Sequence, residues 1–124
     1  MLTVLVADDD PIVRSLLRLV LTQTLVCEVL EADNGADALA LARRRHPALA
    51  LLDLDMPELD GGTVCRALKA DPATRDIPVL IVTGSCRGDA EPASLAAGAD
   101  GFCAKPFQLH DLRARVREYV GVAS

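Results

Sequence analysis

Aromatic side chains are nearly missing from this chain of 124 residues, which has two Phe, one Tyr and no Trp. A surface that stacks nucleobases needs several such rings, so that mode of recognition is excluded. Basic residues are in deficit too, Lys+Arg 13 against Asp+Glu 18, giving a net charge of −5 and a pI near 4.9. Displacing counterions from phosphates requires the opposite balance, so no direct contact with nucleic acid is expected. Apolar residues make up 51% of the chain, yet no unbroken run approaches the roughly 20 residues that span a bilayer. The start, Met1-Leu2-Thr3-Val4, has neither a basic stretch nor a small-residue cleavage site and does not read as a secretory signal. Cysteines at metal-ligand spacing are also wanting. Cys27, Cys65, Cys86 and Cys103 are scattered and the two histidines isolated, which leaves structural zinc without a ligand set. Cys27 and Cys103 are expected to act as small apolar residues inside strands. The expectation is a cytoplasmic protein with no membrane contact, residues 1–124 forming one domain with no effector domain within them, either free-standing or the N-terminal part of a longer regulator.

What is present is alternation. Thr3 to Ala7 is a short apolar run, as in a strand buried on both faces. Asp8-Asp9-Asp10 ends it, and Pro11 suits the first turn of a helix whose Ile12, Leu16, Leu19 and Val20 share one face. Val26 to Glu31 reads as a second strand, and Asp33-Asn34-Gly35 as a turn into a helix over Ala36 to Arg45. The third strand covers Leu49 to Leu54; a loop through Asp60-Gly61 leads to a helix holding Val64, Cys65 and Leu68, stopped by Asp71-Pro72. Val79 to Thr83 is the fourth strand, followed by a loop through Gly84, Gly88 and Pro92 and a short helix from Ala93 to Ala97 that Gly98 ends. Gly101 to Ala104 is a fifth strand, and Leu109, Leu112, Val116 and Val120 mark a last helix. Five strand–helix alternations call for an α/β fold, a doubly wound and mainly parallel sheet with helices on both faces. The triplet Arg43-Arg44-Arg45 is expected to be a solvated helix end favoured by the macrodipole.

In such a sheet, ligands bind beyond the carboxyl ends of the strands. Asp8 and Asp9 finish strand 1, Asp53 strand 3, Thr83 strand 4 and Lys105 strand 5. Any one of these is ordinary where a strand meets water, but together they converge on one small site. Two carboxylates about 4 Å apart repel by roughly 4 kcal/mol at an effective dielectric of 20. They stay ionised only if a cation joins them or their pKa values rise. No basic residue follows Asp8 and Asp9 directly, and oxygen-only ligands suit Mg²⁺, with Mn²⁺ as a substitute. A carboxylate beside such an ion, an ammonium and a hydroxyl is equipped to accept a phosphoryl group.

Four segments carry a resemblance: Val4 to Pro11, Leu51 to Pro57 with Asp60-Gly61, Ile77 to Thr83, and Gly98 to Phe107. In order and spacing they resemble the receiver domain of two-component response regulators, of the single-domain, CheY-like type. The resemblance implies a flavodoxin-like (βα)5 fold with strand order 2-1-3-4-5. It also implies that Asp53 is the phosphoacceptor and that Asp9 ligates Mg²⁺ directly, Asp8 through water and Asp55 by its backbone carbonyl. Thr83 matches the switch hydroxyl, Lys105 the phosphate-binding lysine and Phe102 the switch aromatic. Phosphorylation would draw Thr83 inward, let Phe102 turn, and reshape the surface of helix 4, strand 5 and helix 5. The implied partners are a histidine kinase or histidine phosphotransfer protein, meeting a helix 1 face that includes Ile12, Ser15 and Leu16, and a downstream protein target. The domain would be a signalling acceptor and no conventional turnover enzyme, and a monomer or weak dimer, helix 4 being short and Ala-rich.

Three features depart from the family pattern. Asp55 stands where Met, Asn or Arg is commoner, its side chain pointing either at the phosphoryl site or into solvent. Ser85 and Asp55 occupy positions that tune dephosphorylation, and Phe102 replaces Tyr, so it fills a pocket without a hydroxyl to bond outward. Two other readings stand beside this one. Asp53-Leu54-Asp55 and Thr83-Gly84-Ser85 also resemble haloacid-dehalogenase-type phosphatases, although the acidic pair then precedes the nucleophile and no cap is present. A receiver-like interaction module that works without phosphorylation is the other, although no member of the residue set is missing.

Overall fold

The computed structural model describes residues 2–84, 90–105 and 109–120. The elements alternate as β1 (Leu2–Ala7), α1 (Pro11–Thr24), β2 (Cys27–Ala32), α2 (Gly35–Arg45), β3 (Leu49–Leu52), α3 (Gly61–Ala70), β4 (Val79–Thr83), α4 (Ala90–Ala96), β5 (Gly101–Ala104) and α5 (Leu109–Val120). All pairings are parallel and the sheet order is β2-β1-β3-β4-β5, as the resemblance implies. After β1 and β2 the chain crosses to the other side of β1, so β1 and β3 flank the point where strand order reverses.

The period-2 alternation of strand side chains divides the core in two. Val4 and Val6 of β1 face α1 and α5, packing with Leu17, Val20, Leu21, Leu112 and Val116. Leu5 and Ala7 face the other way, toward Ala38 and Ala42 of α2 and Val64, Cys65 and Leu68 of α3. β3 and β4 are buried along their whole length, as a central parallel strand must be.

Short polar side chains start three of the helices. The Asp10 carboxylate accepts from the Ile12 N–H, with Pro11 in the first turn; Asn34 accepts from Asp37, and Asp60 from Thr63. Each satisfies one of the amides a helix start leaves unpaired. Gly98, with φ +96°, follows α4 as expected of a helix-ending glycine. Arg43, Arg44 and Arg45 lie exposed in the last turn of α2, Arg45 pairing with Glu28 at 2.7 Å.

The expected face of α1 holds at Val20 and fails at its other three positions. Ile12, Leu16 and Leu19 are exposed by 78%, 39% and 52%, while Leu17, Val20 and Leu21 are buried. Both stripes are apolar, so composition alone cannot choose between them. Arg14 and Arg18 decide it, because both reach across to Glu31 on β2. Turning the helix about 100°, one residue's rotation, to bury Ile12 and Leu16 would swing both arginines away from that partner.

Three smaller differences follow from local chemistry. β3 ends at Leu52, so Asp53 and Leu54 lie just past the strand, and β2 is shifted one residue, to Cys27–Ala32. α4 begins at Ala90 with Pro92 inside it; a first-turn proline gives up an N–H that has no helical partner anyway. Gly88 lies outside the described residues.

One glycine fixes how near α3 comes to the strand ends. A Cβ on Gly61 would stand 2.1 Å from the Asp53 carbonyl oxygen, and the Gly61 N–H donates to the Leu54 carbonyl at 3.0 Å. Gly61→Ala therefore has to push backbone against backbone, and a loss of several kcal/mol is expected, as for other overpacked sites. In urea unfolding, Leu17→Ala is expected to cost about 2–5 kcal/mol and Leu19→Ala no more than about 0.5; the reverse ranking would restore the other helix face.

Candidate functional site

The strand ladder runs one residue beyond the strands and carries the site residues with it. The Asp8 N–H donates to the Ala32 carbonyl at 3.1 Å, the Asp53 N–H to Ala7 at 3.0 Å, and the Lys105 N–H to Thr83 at 2.9 Å. Four side chains from different strands are thereby pinned by main chain at one edge of the sheet. Asp8 and Asp53 are 1% and 7% exposed and Thr83 is 1% exposed, whereas Asp9 faces solvent.

Carboxylate oxygens of Asp8, Asp9 and Asp53 lie within 4.8 Å of one another. The Lys105 Nζ sits 2.6 Å from Asp8 Oδ2 and 3.7 Å from Asp53 Oδ2. The sequence gives no basic neighbour to the acidic pair, but the fold brings one from 97 residues away. One ammonium against three carboxylates still leaves a net negative charge in a largely dehydrated corner. Such an oxygen-only set with charge to spare fits a hard divalent cation.

Asp53 feels that environment directly. Burial holds its carboxyl above the usual range, helped by the negative charge of Asp8; the Thr83 hydroxyl, Lys105 and the Asp55 N–H work in the opposite sense. The Asp55 N–H donates to Asp53 Oδ1 at 3.4 Å. The Thr83 hydroxyl thus already rests on Asp53, where an inward swing was expected only after phosphorylation.

Asp55 resolves toward solvent. It is exposed and lines a small cavity of about 140 Å³ with Asp60, Gly62, Arg66 and Ala93. Phe102 is half-buried, packed against the cluster that contains Ala90, Ala97 and Ala99. Cys27 and Cys103 lie in strands, half-buried, with their thiols pushed up by burial, and burial raises Cys65 to about 11. Ser85, Cys86, Pro106 and Phe107 lie outside the described residues.

Sequence reasoning overlooked Arg14. Its Nη1 donates to the Asp8 carbonyl at 2.7 Å and its Nε to Glu31 Oε1 at 3.2 Å. Nothing local marks it, since an arginine in the first turns of a helix is ordinary until the partner on β2 is known.

The family model described as the response regulator receiver domain matches residues 4–117. The chain belongs to that family. This receiver domain is 46% identical to the response regulator PleD of Caulobacter vibrioides over 115 residues, which is 92% of the chain and 25% of PleD. It spans about half the length of other curated relatives that it matches. Among solved structures it resembles a putative response regulator from Chloroflexus aurantiacus, with TM-score 0.90, 33% identity and 98% of each chain covered. It also resembles the receiver domain of a sensor histidine kinase from Pseudomonas aeruginosa, with TM-score 0.87, 25% identity and 98% of each chain covered. That protein holds a magnesium ion in its active-site cleft.

The family is that of the phosphoacceptor modules of two-component signalling, and the acidic cluster is one that could hold a divalent cation. No helix among the described residues is long and apolar enough to cross a membrane.

The raised Asp53 carboxyl has a consequence for stability. A group whose folded pKa lies above its unfolded value adds stability below the unfolded pKa and loses it as pH climbs through the folded one. In metal-free buffer Asp53→Asn is therefore expected to be more stable than the parent at pH 7. The difference should vanish below the ordinary value of 3.8. Urea midpoints at pH 3 and pH 7 in the presence of chelator measure it, and equal midpoints at pH 7 would contradict it.

Proposed function

We propose that Asp53 accepts a phosphoryl group from a phosphohistidine on a histidine kinase or a histidine phosphotransfer protein. The observation that supports this best is the convergence on Asp53 of two acids, an ammonium and a hydroxyl from separate strands. An Asp53 oxygen attacks phosphorus, the P–N bond breaks, and the imidazole leaves with the electron pair and takes up a proton. The product is an acyl phosphate.

Asp9 and Asp53 by their carboxylates, Asp8 through water and the Asp55 backbone carbonyl would hold Mg²⁺, or Mn²⁺ in its stead. When bound, the ion neutralises charge on the transferring oxygens. Lys105, already 3.7 Å from Asp53 and tethered to Asp8, stabilises a further oxygen. Its bond to Asp8 also keeps that buried carboxylate from standing unpaired.

Phosphorylation adds about two negative charges and strong acceptor oxygens at Asp53. Because the Thr83 hydroxyl already contacts Asp53, the added charge tightens a bond that exists. Phe102 turns as that bond shortens, and α4, β5 and α5 change their outer face. A downstream protein reads that face. With a net charge of −5 the chain itself does not hold nucleic acid. The domain acts in the cytoplasm as a monomer or weak dimer, since α4 offers Leu95 as its large exposed apolar side chain. The exposed α1 stripe with Ile12 and Leu16 is where the phosphodonor docks.

Incubation with acetyl phosphate, read by intact mass, tests the reading. A gain of one phosphoryl group is expected with Mg²⁺ and none in chelator. Asp53→Asn should take no label, and Lys105→Met should label on the order of 10²-fold more slowly. Labelling of Asp53→Asn at the parental rate would move the acceptor elsewhere. A parent that stays unlabelled with Mg²⁺ present would favour the phosphorylation-independent module.

A further inference from the structure

Arg14 lies outside the set of residues that meet at Asp53, yet it is tied to that set through the backbone. Three bonds close the β1–α1 turn on itself. The Asp8 carboxylate accepts from the Asp10 N–H at 2.9 Å, the Asp10 carboxylate accepts from the Ile12 N–H at 2.9 Å, and Arg14 Nη1 donates to the Asp8 carbonyl at 2.7 Å. The first two are local. The third reaches back from inside α1 and is itself aimed by Glu31 of β2, which holds the Arg14 Nε at 3.2 Å and the Arg18 Nε at 2.7 Å. The Arg14 side chain is only 19% exposed, so this is no loose surface pair.

We propose that Arg14 is a positioning residue for the divalent cation, fixing the peptide that carries Asp8 and Asp9 from the side away from Asp53. The inference rests on the reading of Asp8, Asp9 and Asp53 as the cation site. The sign of the expected effect separates it from a plain charge effect. The guanidinium carries positive charge near a cation site, so removing it should, by Coulomb's law alone, tighten cation binding. Glu31, shared with Arg18, offsets only part of that field, so charge alone still predicts tighter binding on removal of the guanidinium. Against that stands the grip on the Asp8 carbonyl, and its loss lets the acidic pair spread and weakens binding. Lysine keeps the charge but is a single point donor and cannot serve Asp8 and Glu31 together as the planar fork does.

Mn²⁺ and Mg²⁺ affinities, read by electron paramagnetic resonance of free Mn²⁺ and by competition, test this on the parent, Arg14→Met and Arg14→Lys. Urea midpoints confirm that each variant is folded at the assay temperature. Arg14→Met should bind Mn²⁺ about 10-fold more weakly, as outer partners of metal ligands generally do, and Arg14→Lys about 3-fold more weakly. Unchanged or tighter binding in folded Arg14→Met overturns the proposal. Should Arg14→Met not fold, Arg14→Lys decides at constant charge, and parental affinity there overturns it equally. A parent that binds no Mn²⁺ at millimolar concentration removes the cation site and this inference together. A parent that binds Mn²⁺ and takes no phosphoryl group, with Arg14→Met still weaker, leaves Arg14's role supported while the phosphoacceptor reading falls.

Discussion

Mutual repulsion of three carboxylates is the constraint that the rest of this fold answers to. Their oxygens stand within 4.8 Å, where each ionised pair costs roughly 4 kcal/mol at an effective dielectric of 20. Two of the three are buried, which raises the cost by dehydration. A flexible chain would relieve this by spreading the acids apart. Here it cannot, because the ladder holds Asp8 to Ala32 and Asp53 to Ala7 by main chain, and Gly61 brings α3 against the Asp53 carbonyl with no room to retreat. The leucine- and valine-rich strands behind supply the burial that keeps the ladder shut. Stability is thus invested in the core and surrendered at one edge, the usual location of functional strain.

That surrendered edge is only partly compensated from within. Lys105 bonds Asp8 strongly and Asp53 at longer range, and Thr83 and the Asp55 amide each contribute a hydrogen bond to Asp53. Every one of these donors favours the ionised carboxylate, yet burial outweighs them and the Asp53 carboxyl stays above its usual range. The site is therefore charged and short of cations at once. An added divalent ion relieves the deficit, and a phosphoryl group arriving with it meets donors already in place.

What was legible in the sequence follows from how local the cause is. The convergence at the strand ends came through because Asp8, Asp53, Thr83 and Lys105 end apolar runs, and an apolar run is a local signal, whereas the strand order came from the family resemblance alone. The α1 face came through only at Val20, because Ile12, Leu16 and Leu19 line up with Val20 as well as Val13 and Leu17 do. The deciding partner, Glu31, lies on another strand. Arg14 was invisible for the same reason, as was the Lys105–Asp8 contact. The Asp55 side chain posed a two-way choice that only the path of the loop into α3 settles, toward solvent and the cavity beside Arg66. Pro92 misled because a proline reads as a helix breaker, whereas in a first turn it breaks nothing.

The same edge is not equally firm along its length, and the difference points to how a local charge change spreads. On the β1–β3 side the acids are backed by strands whose last four residues are all buried, and by the Arg14 and Gly61 restraints. On the β4–β5 side, β5 has four residues, of which Phe102 and Cys103 are half-buried and Ala104 exposed, and α4 has seven residues. The far end of that side is firmly tied. Lys69 Nζ donates to the Ile77 carbonyl at 2.7 Å and to Asp100 Oδ2 at 2.9 Å, Asp100 Oδ2 also accepts from the Val79 N–H at 2.8 Å, and the Tyr119 hydroxyl donates to the Asp100 carbonyl. A lightly packed element anchored at one end can only swing at the other. Thr83 and Lys105 stand at the opposite end, beside Asp53, so a charge added there bears on the ends of β4 and β5 remote from the Lys69–Asp100 knot.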